Sequence, residues 1–351
     1  MTPRLACKPD VQDVAAAAPP RAAERYVSGR RRSRTLAAWA TAAWAALVAS
    51  GCGPGPAGPE FQLRQEPWSF GHTAGTHLIT DHFDIYTTVD DPKLRDYLPR
   101  FLETLHQERY AALLPAPEGS DRRLQTYLFA NQHEWMAFTR QHFPDRYDLL
   151  TSVQVGGYAS GDMCVTRNLR PAIHTLSVIA HEGMHQYFGT HFDQRLPAWL
   201  NEGLATYCEG FDVRQNRPVF HSRRNALRLN PLREALAGDT LLPFSELLAT
   251  DAGRVIIQSQ SRLTKTYYAQ AWALVVFLQH GGNRQYAEGF RRMLDDVAAG
   301  RLDERARAAR ITSADPAELS FGESVFRAYI TEDLPVFEQQ LREFITALAF
   351  R

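Results

Sequence analysis

The chain has 351 residues, of which 44% are hydrophobic and 22% charged, and its formal net charge is zero. These are the proportions of a soluble globular protein long enough for one large domain or two modest ones. Arginine dominates the basic side, with lysine only at positions 8, 93 and 265, and its dispersal along the chain gives no support for a nucleic-acid or other polyanionic partner. The four cysteines, Cys7, Cys52, Cys164 and Cys208, form no C-x-x-C pair, so a cysteine-based metal site is unsupported.

The first 29 residues are rich in Ala, Pro and Arg. Arg30, Arg31, Arg32 and Arg34 then precede an apolar run from Leu36 to Val48, too short for a transmembrane helix but suited to the core of a secretory signal. The run closes on Ala49-Ser50-Gly51-Cys52, followed by Gly53-Pro54-Gly55-Pro56. This segment resembles a bacterial lipoprotein signal, although Ala49 stands where Leu is usual. The resemblance implies export, lipidation of Cys52 and attachment to a membrane through that lipid. A plain signal peptide or an uncleaved anchor is the alternative. The expected organisation is a leader over 1–52, a flexible tether over 53–75 and a folded domain over 76–351. That domain divides into an α/β half (76–170) and a helical half (171–351).

The segment from His82 to Val89 alternates β-branched and aromatic residues with polar ones, as a strand does. Asp90-Asp91-Pro92 opens a helix whose apolar face runs from Leu94 to Leu105, with a kink or break expected near Leu98 because Pro99 falls inside it. A second strand is expected from Arg123 to Ala130, then a short helix capped by Asn131 and ending at His142. Third and fourth strands are expected at Ser152 to Tyr158 and Asp162 to Thr166. This order predicts a mixed twisted sheet with helices packed on it. From Pro171 onward only helices are expected: 172–188, 197–210, 222–236, 266–280, 283–299 and 332–349.

The helix over 172–188 carries His181-Glu182-Gly183-Met184-His185, an H-E-x-x-H array. Residues four apart share one helical face, so His181 and His185 can hold one Zn²⁺ while Glu182 reaches a water beside it. Downstream comes Trp199-Leu200-Asn201-Glu202-Gly203-Leu204-Ala205, preceded by Pro197, which suits a first helical turn. Sixteen residues separate His185 from Glu202, enough for the second helix to fold back on the first. Two imidazoles and a carboxylate make a three-ligand zinc site with a position left for water.

Together these segments resemble the gluzincin metallopeptidases, and within them the peptidase-MA-like domains related to the aminopeptidase N family. The resemblance spans roughly residues 76–345 and implies an α+β zincin-like fold, with the zinc site in the cleft between a mixed sheet and a helical half. It makes His181, His185 and Glu202 the zinc ligands and Glu182 the general base. It makes Tyr268, in Tyr267-Tyr268-Ala269-Gln270, the donor to the oxyanion, with Tyr267 the second candidate. Gly156, Gly157 and Tyr158 fall where the family keeps an edge strand that pairs with extended substrate. The loop between His185 and Glu202 is shorter than in aminopeptidase N, and no Glu in the Gly156 segment offers to hold a free amine. Aminopeptidase specificity is therefore not implied. The expected function is peptide-bond hydrolysis of a peptide or protein outside the cytoplasm; the alternative is a binding or scaffold lipoprotein that keeps the fold without turnover. His174, two turns before His181, is a candidate for contact behind the ligands. Cys164 and Cys208 can pair outside the cytoplasm, with separate buried thiols the favoured state.

Overall fold

A computed structural model describes residues 59–152, 156–250, 262–312 and 319–350. The leader, Cys52 and the first residues of the tether lie outside the described residues, so the expected lipidation site is not among them. The protein is mixed α and β, with an N-terminal mixed sheet and a largely helical remainder.

The sheet has six strands in the order β1-β2-β3-β4-β6-β5. Strands β1 (Arg64–Phe70), β2 (Thr73–Ile79) and β3 (Phe83–Thr87) form an antiparallel meander. The tether expected to reach residue 75 thus ends by Arg64. β1 escapes pattern reading because it is an edge strand with a mostly exposed face, where Pro67 is tolerated. Strand β4 (Leu124–Phe129) runs parallel to β3 and to β6 (Met163–Arg167), and β5 (Gly157–Ser160) closes the other edge antiparallel to β6. The third strand therefore occupies 157–160 rather than 152–158.

The parallel β3–β4 pair requires a crossover, supplied by α1 (Pro92–Leu105). Asp91 caps it by accepting from Lys93 N–H at 2.9 Å. Of the kink or break expected near Leu98, the break does not occur: α1 continues through Pro99, which is buried with Leu98 and Phe101, and tertiary packing outweighs the lost hydrogen bond. A π-helical turn, His106–Tyr110, then leads into α2 (Ala111–Leu113). Asn131 caps α3 (Gln132–His142) as expected, accepting from Glu134 N–H at 3.0 Å.

Sheet and helices form layers. On one face α3 and α4 (Tyr147–Ser152) cover Phe129, Tyr158 and Val165 with Trp135, Phe138 and Leu150. On the other face α1 and α5 (Ala172–His191) join a larger core that continues into the helical half. Helix α5 lies against β5 and β6 and against α6 (Ala198–Cys208), which in turn packs on α9 (Arg262–His280). Gly203 makes the last contact close: a Cβ there would stand 2.9 Å from Ala271 O and 2.6 Å from Val275 Cγ2. The start of α6 is fixed by Trp199, fully buried, whose indole N–H donates to Gly322 O at 3.2 Å.

The second half is not wholly helical as expected. A hairpin, β7 (Phe211–Arg214) and β8 (Arg217–Phe220), follows α6. The remaining helices are α7 (Ala226–Ala237), α8 (Phe244–Ala249), α10 (Ala287–Ala298), α11 (Leu302–Thr312), α12 (Phe321–Tyr329) and α13 (Leu334–Phe350). Cys164 and Cys208 are separate buried thiols. Among the described residues no helix is long and apolar enough to cross a membrane.

Candidate metal centre

Helices α5 and α6 bring His181, His185 and Glu202 together in a largely buried pocket. The two imidazole Nε2 atoms are 3.2 Å apart, and Glu202 Oε2 lies 3.3 Å from that of His181 and 3.5 Å from that of His185. A tetrahedral zinc with bonds of about 2.1 Å separates its ligand atoms by about 3.4 Å, so the three donors stand at metal-ligand spacing. Glu202 Oε2 is buried and makes no hydrogen bond of acceptable geometry to either ring, an orphaned acceptor facing two nitrogens.

Charge counting supports the same occupant. Glu182, Glu202 and Glu209 share the pocket with one guanidinium, that of Arg228, which leaves two negative charges. A divalent cation balances them; without one, the imidazoles do so by taking protons. Burial alone would lower the pKa of His181, but the Glu202 and Glu209 carboxylates overcome it and raise the value to about 10. Burial likewise opposes protonation of His185, and Glu202 reverses it, so that pKa is also raised. Burial would raise the Glu202 carboxyl, and His185 and His181 instead hold it well below the usual range.

Each of the two imidazoles is held from behind. His181 Nδ1 lies 2.8 Å from Glu209 Oε1, and His185 Nδ1 lies 3.2 Å from Asn201 Oδ1. Glu209 is in turn held by Arg228, whose Nε donates to Oε2 at 2.8 Å and whose Nη2 donates to Oε1, and by Asn225 Nδ2 at 2.9 Å. Burial would raise the Glu209 carboxyl; Arg228 and His181 hold it down at about 2. None of this outer layer was anticipated. Asn201 had a signal, lying beside Glu202 in the same motif. Glu209 had one too, since seven residues after Glu202 is two helical turns along the same face. Arg228 and Asn225, on and just before α7, had none.

Glu182 is half-buried beside β5. The Ala159 backbone hydrogen-bonds its carboxylate, and its Cγ would lie 3.4 Å from a Cβ at position 157. Burial is the largest influence on Glu182 and raises its pKa, against the opposing pull of His181 and His185. Gly157 leaves room that no other residue could: a Cβ would come within 2.7 Å of both Val178 Cγ1 and Thr166 Cγ2. Gly156, at φ 92°, enters β5 and bonds through its carbonyl to Arg167 N–H at 2.9 Å. Tyr158 sends its side chain to the opposite layer, where its ring meets Trp135 and its hydroxyl lies 3.0 Å from Thr139 Oγ1. Only its backbone belongs to the site side of the strand.

Tyr268, on α9, packs its ring edge-on to His181 at 5.9 Å and beneath the Arg228 guanidinium at 5.2 Å. Burial, then the Glu202 and Glu182 charges, raise its phenol well above the usual value, so it remains a donor. Tyr267 is turned into the core and is almost fully buried. His174 is exposed in the first turn of α5 and does not reach His181.

A family model described as a protein of unknown function (DUF1570) matches residues 175–298, from the start of the H-E-x-x-H helix to the end of α10. That span contains His181, Glu182, His185, Glu202, Glu209, Arg228 and Tyr268. No curated protein and no solved structure matches the chain.

Proposed function

We propose that the protein is a zinc-dependent peptidase of the gluzincin type, with a zincin-like arrangement of sheet and helices, acting outside the cytoplasm from a lipid anchor at Cys52. The observation that carries this reading is the meeting of His181, His185 and Glu202 around an unsatisfied carboxylate oxygen, with a half-buried Glu182 beside them next to a sheet edge.

Zinc, when bound, supplies Lewis acidity and makes water nucleophilic at neutral pH. The chain's own residues do the rest. Glu209 and Asn201 fix the two imidazoles so that the Nε2 atoms face inward. An extended peptide pairs with β5, the sheet edge nearest Glu182, placing a carbonyl carbon over the pocket. Glu182, whose pKa is raised chiefly by burial, takes a proton from the attacking water and delivers it to the leaving nitrogen. Tyr268 donates its phenolic hydrogen to the carbonyl oxygen as negative charge builds there.

The test is hydrolysis of a peptide library by the zinc-loaded protein and by Glu182→Gln. Removal of one general base costs on the order of 10² to 10⁴ in rate. Cleavage abolished in Glu182→Gln with zinc still bound supports the proposal. Full zinc occupancy without cleavage of any peptide would favour the scaffold lipoprotein instead.

A further inference from the structure

Arginines dispersed in sequence gather at one place in the fold, away from the metal centre. The π-helical turn His106–Tyr110 sets up the arrangement. Such turns are rare and concentrate at functional sites. Here the turn directs two neighbours apart. Tyr110 goes inward, its hydroxyl donating to Ala180 O on α5 at 3.0 Å. Arg109 goes outward, its guanidinium over the rings of Tyr207 at 5.1 Å and Phe220 at 5.2 Å. No carboxylate pairs with Arg109 among the described residues, and its buried Nε has no acceptor.

Arg109 lines a cleft of about 320 Å³ with Arg284, Arg291, Phe290 and Leu294. At His280 this cleft meets a second one of about 490 Å³, lined by Arg223 and Arg224. Tyr207 links the two, its hydroxyl 3.1 Å from His280 Nε2 and 2.8 Å from Ser222 Oγ. Arg223 is fixed by donating to His280 O at 2.7 Å. Of these cleft arginines only Arg291 has a carboxylate partner among the described residues, Asp295, and Glu108 is the one acid among the described residues of the cleft walls. His280 registers the crowding: burial lowers its pKa, and Arg223, Arg284 and Arg109 lower it further. Like charges held together by stacking and backbone bonds repel unless an anion sits among them. In a chain of zero net charge this is a local imbalance.

We propose that the double cleft binds a phosphate group, its dianion held among Arg109, Arg223 and Arg284. Guanidinium forks match phosphate oxygens in pairs, and a dianion answers several cations at once where a carboxylate answers one.

The test uses the full chain, with a chelator present so that nothing binds at the histidine pair through a metal. Calorimetric titration with phenyl phosphate, as a phosphate monoester, at low ionic strength is expected to show saturable binding, tighter than benzoate. Arg284 is exposed, so Arg284→Gln leaves the fold intact while weakening phenyl phosphate about tenfold or more. Arg223→Gln acts in the same direction, and Arg64→Gln, on the distant β1, changes nothing. Circular dichroism confirms folding of each variant. Absence of saturable binding, equal affinity in Arg284→Gln and Arg223→Gln, or benzoate binding as tightly as phenyl phosphate would each overturn the assignment.

Discussion

Glu209→Gln is the substitution that most sharply separates an oriented metal site from a chance meeting of side chains. The change keeps the shape of Glu209 but removes the charge that faces His181 Nδ1 at 2.8 Å and the Arg228 guanidinium. Two effects follow. Loss of a partner behind a metal-ligating histidine costs about 10- to 100-fold in metal affinity, or roughly 1.4–2.8 kcal/mol. Separately, Arg228 keeps a buried cation without its counter-charge, and breaking a buried pair costs about 3–5 kcal/mol of folding stability. For a domain of this size that corresponds to a fall in Tm of roughly 10 °C. Competition against a chromophoric chelator reads the first effect, and calorimetric unfolding of the metal-free protein reads the second. A folded Glu209→Gln protein with unaltered zinc affinity would refute the orienting role. An unaltered Tm would refute the claim that Glu209 and Arg228 are a buried, mutually dependent pair.

A pH effect is expected far from the site, at His82 and Glu103, whose side chains meet at 2.7 Å. The hydrogen bond to Glu103 raises the pKa of His82, with burial opposing it, so the folded state binds that proton more tightly than the unfolded chain does. The stabilisation is fully present below the unfolded value near 6.5 and fades as pH rises through the raised folded one. Denaturation of the protein and of Glu103→Gln should therefore differ more at pH 5.5 than at pH 9, and a pH-independent difference would contradict the pairing. Gly157→Val should cost about 1–3 kcal/mol, because its Cβ meets Val178 and Thr166 at 2.7 Å. It should also raise KM for peptides by displacing β5, with zinc affinity unchanged; an unaltered KM would remove β5 from substrate binding.

The parts of the fold that were legible in sequence are those whose pattern is local. Helix α5 shows itself as a proline-free buried run carrying both histidines, and Asn131 and Asp91 mark helix starts by the side-chain caps they provide. The edges of the fold were not legible, because an edge needs less burial. β1 shows four exposed residues in succession and contains Pro67, so it reads as tether. The β7–β8 hairpin turns at Gln215 and Asn216, both at positive φ (49° and 59°), without the Asn-Gly signature that usually announces such a turn. At the site, ligand candidates could be named from spacing along two helices. Arg228 could not, because it arrives through the packing of α7. The gathering of Arg109, Arg223 and Arg284 was equally hidden, since three segments far apart in sequence supply it.

The most direct test of the central claim is metal content. After equilibration with zinc and removal of excess, elemental analysis should find one zinc per chain in the protein and in Glu182→Gln, and essentially none in His185→Ala or Glu202→Gln, with all variants folded by circular dichroism. A full equivalent of zinc retained by His185→Ala would place the metal elsewhere and contradict the account.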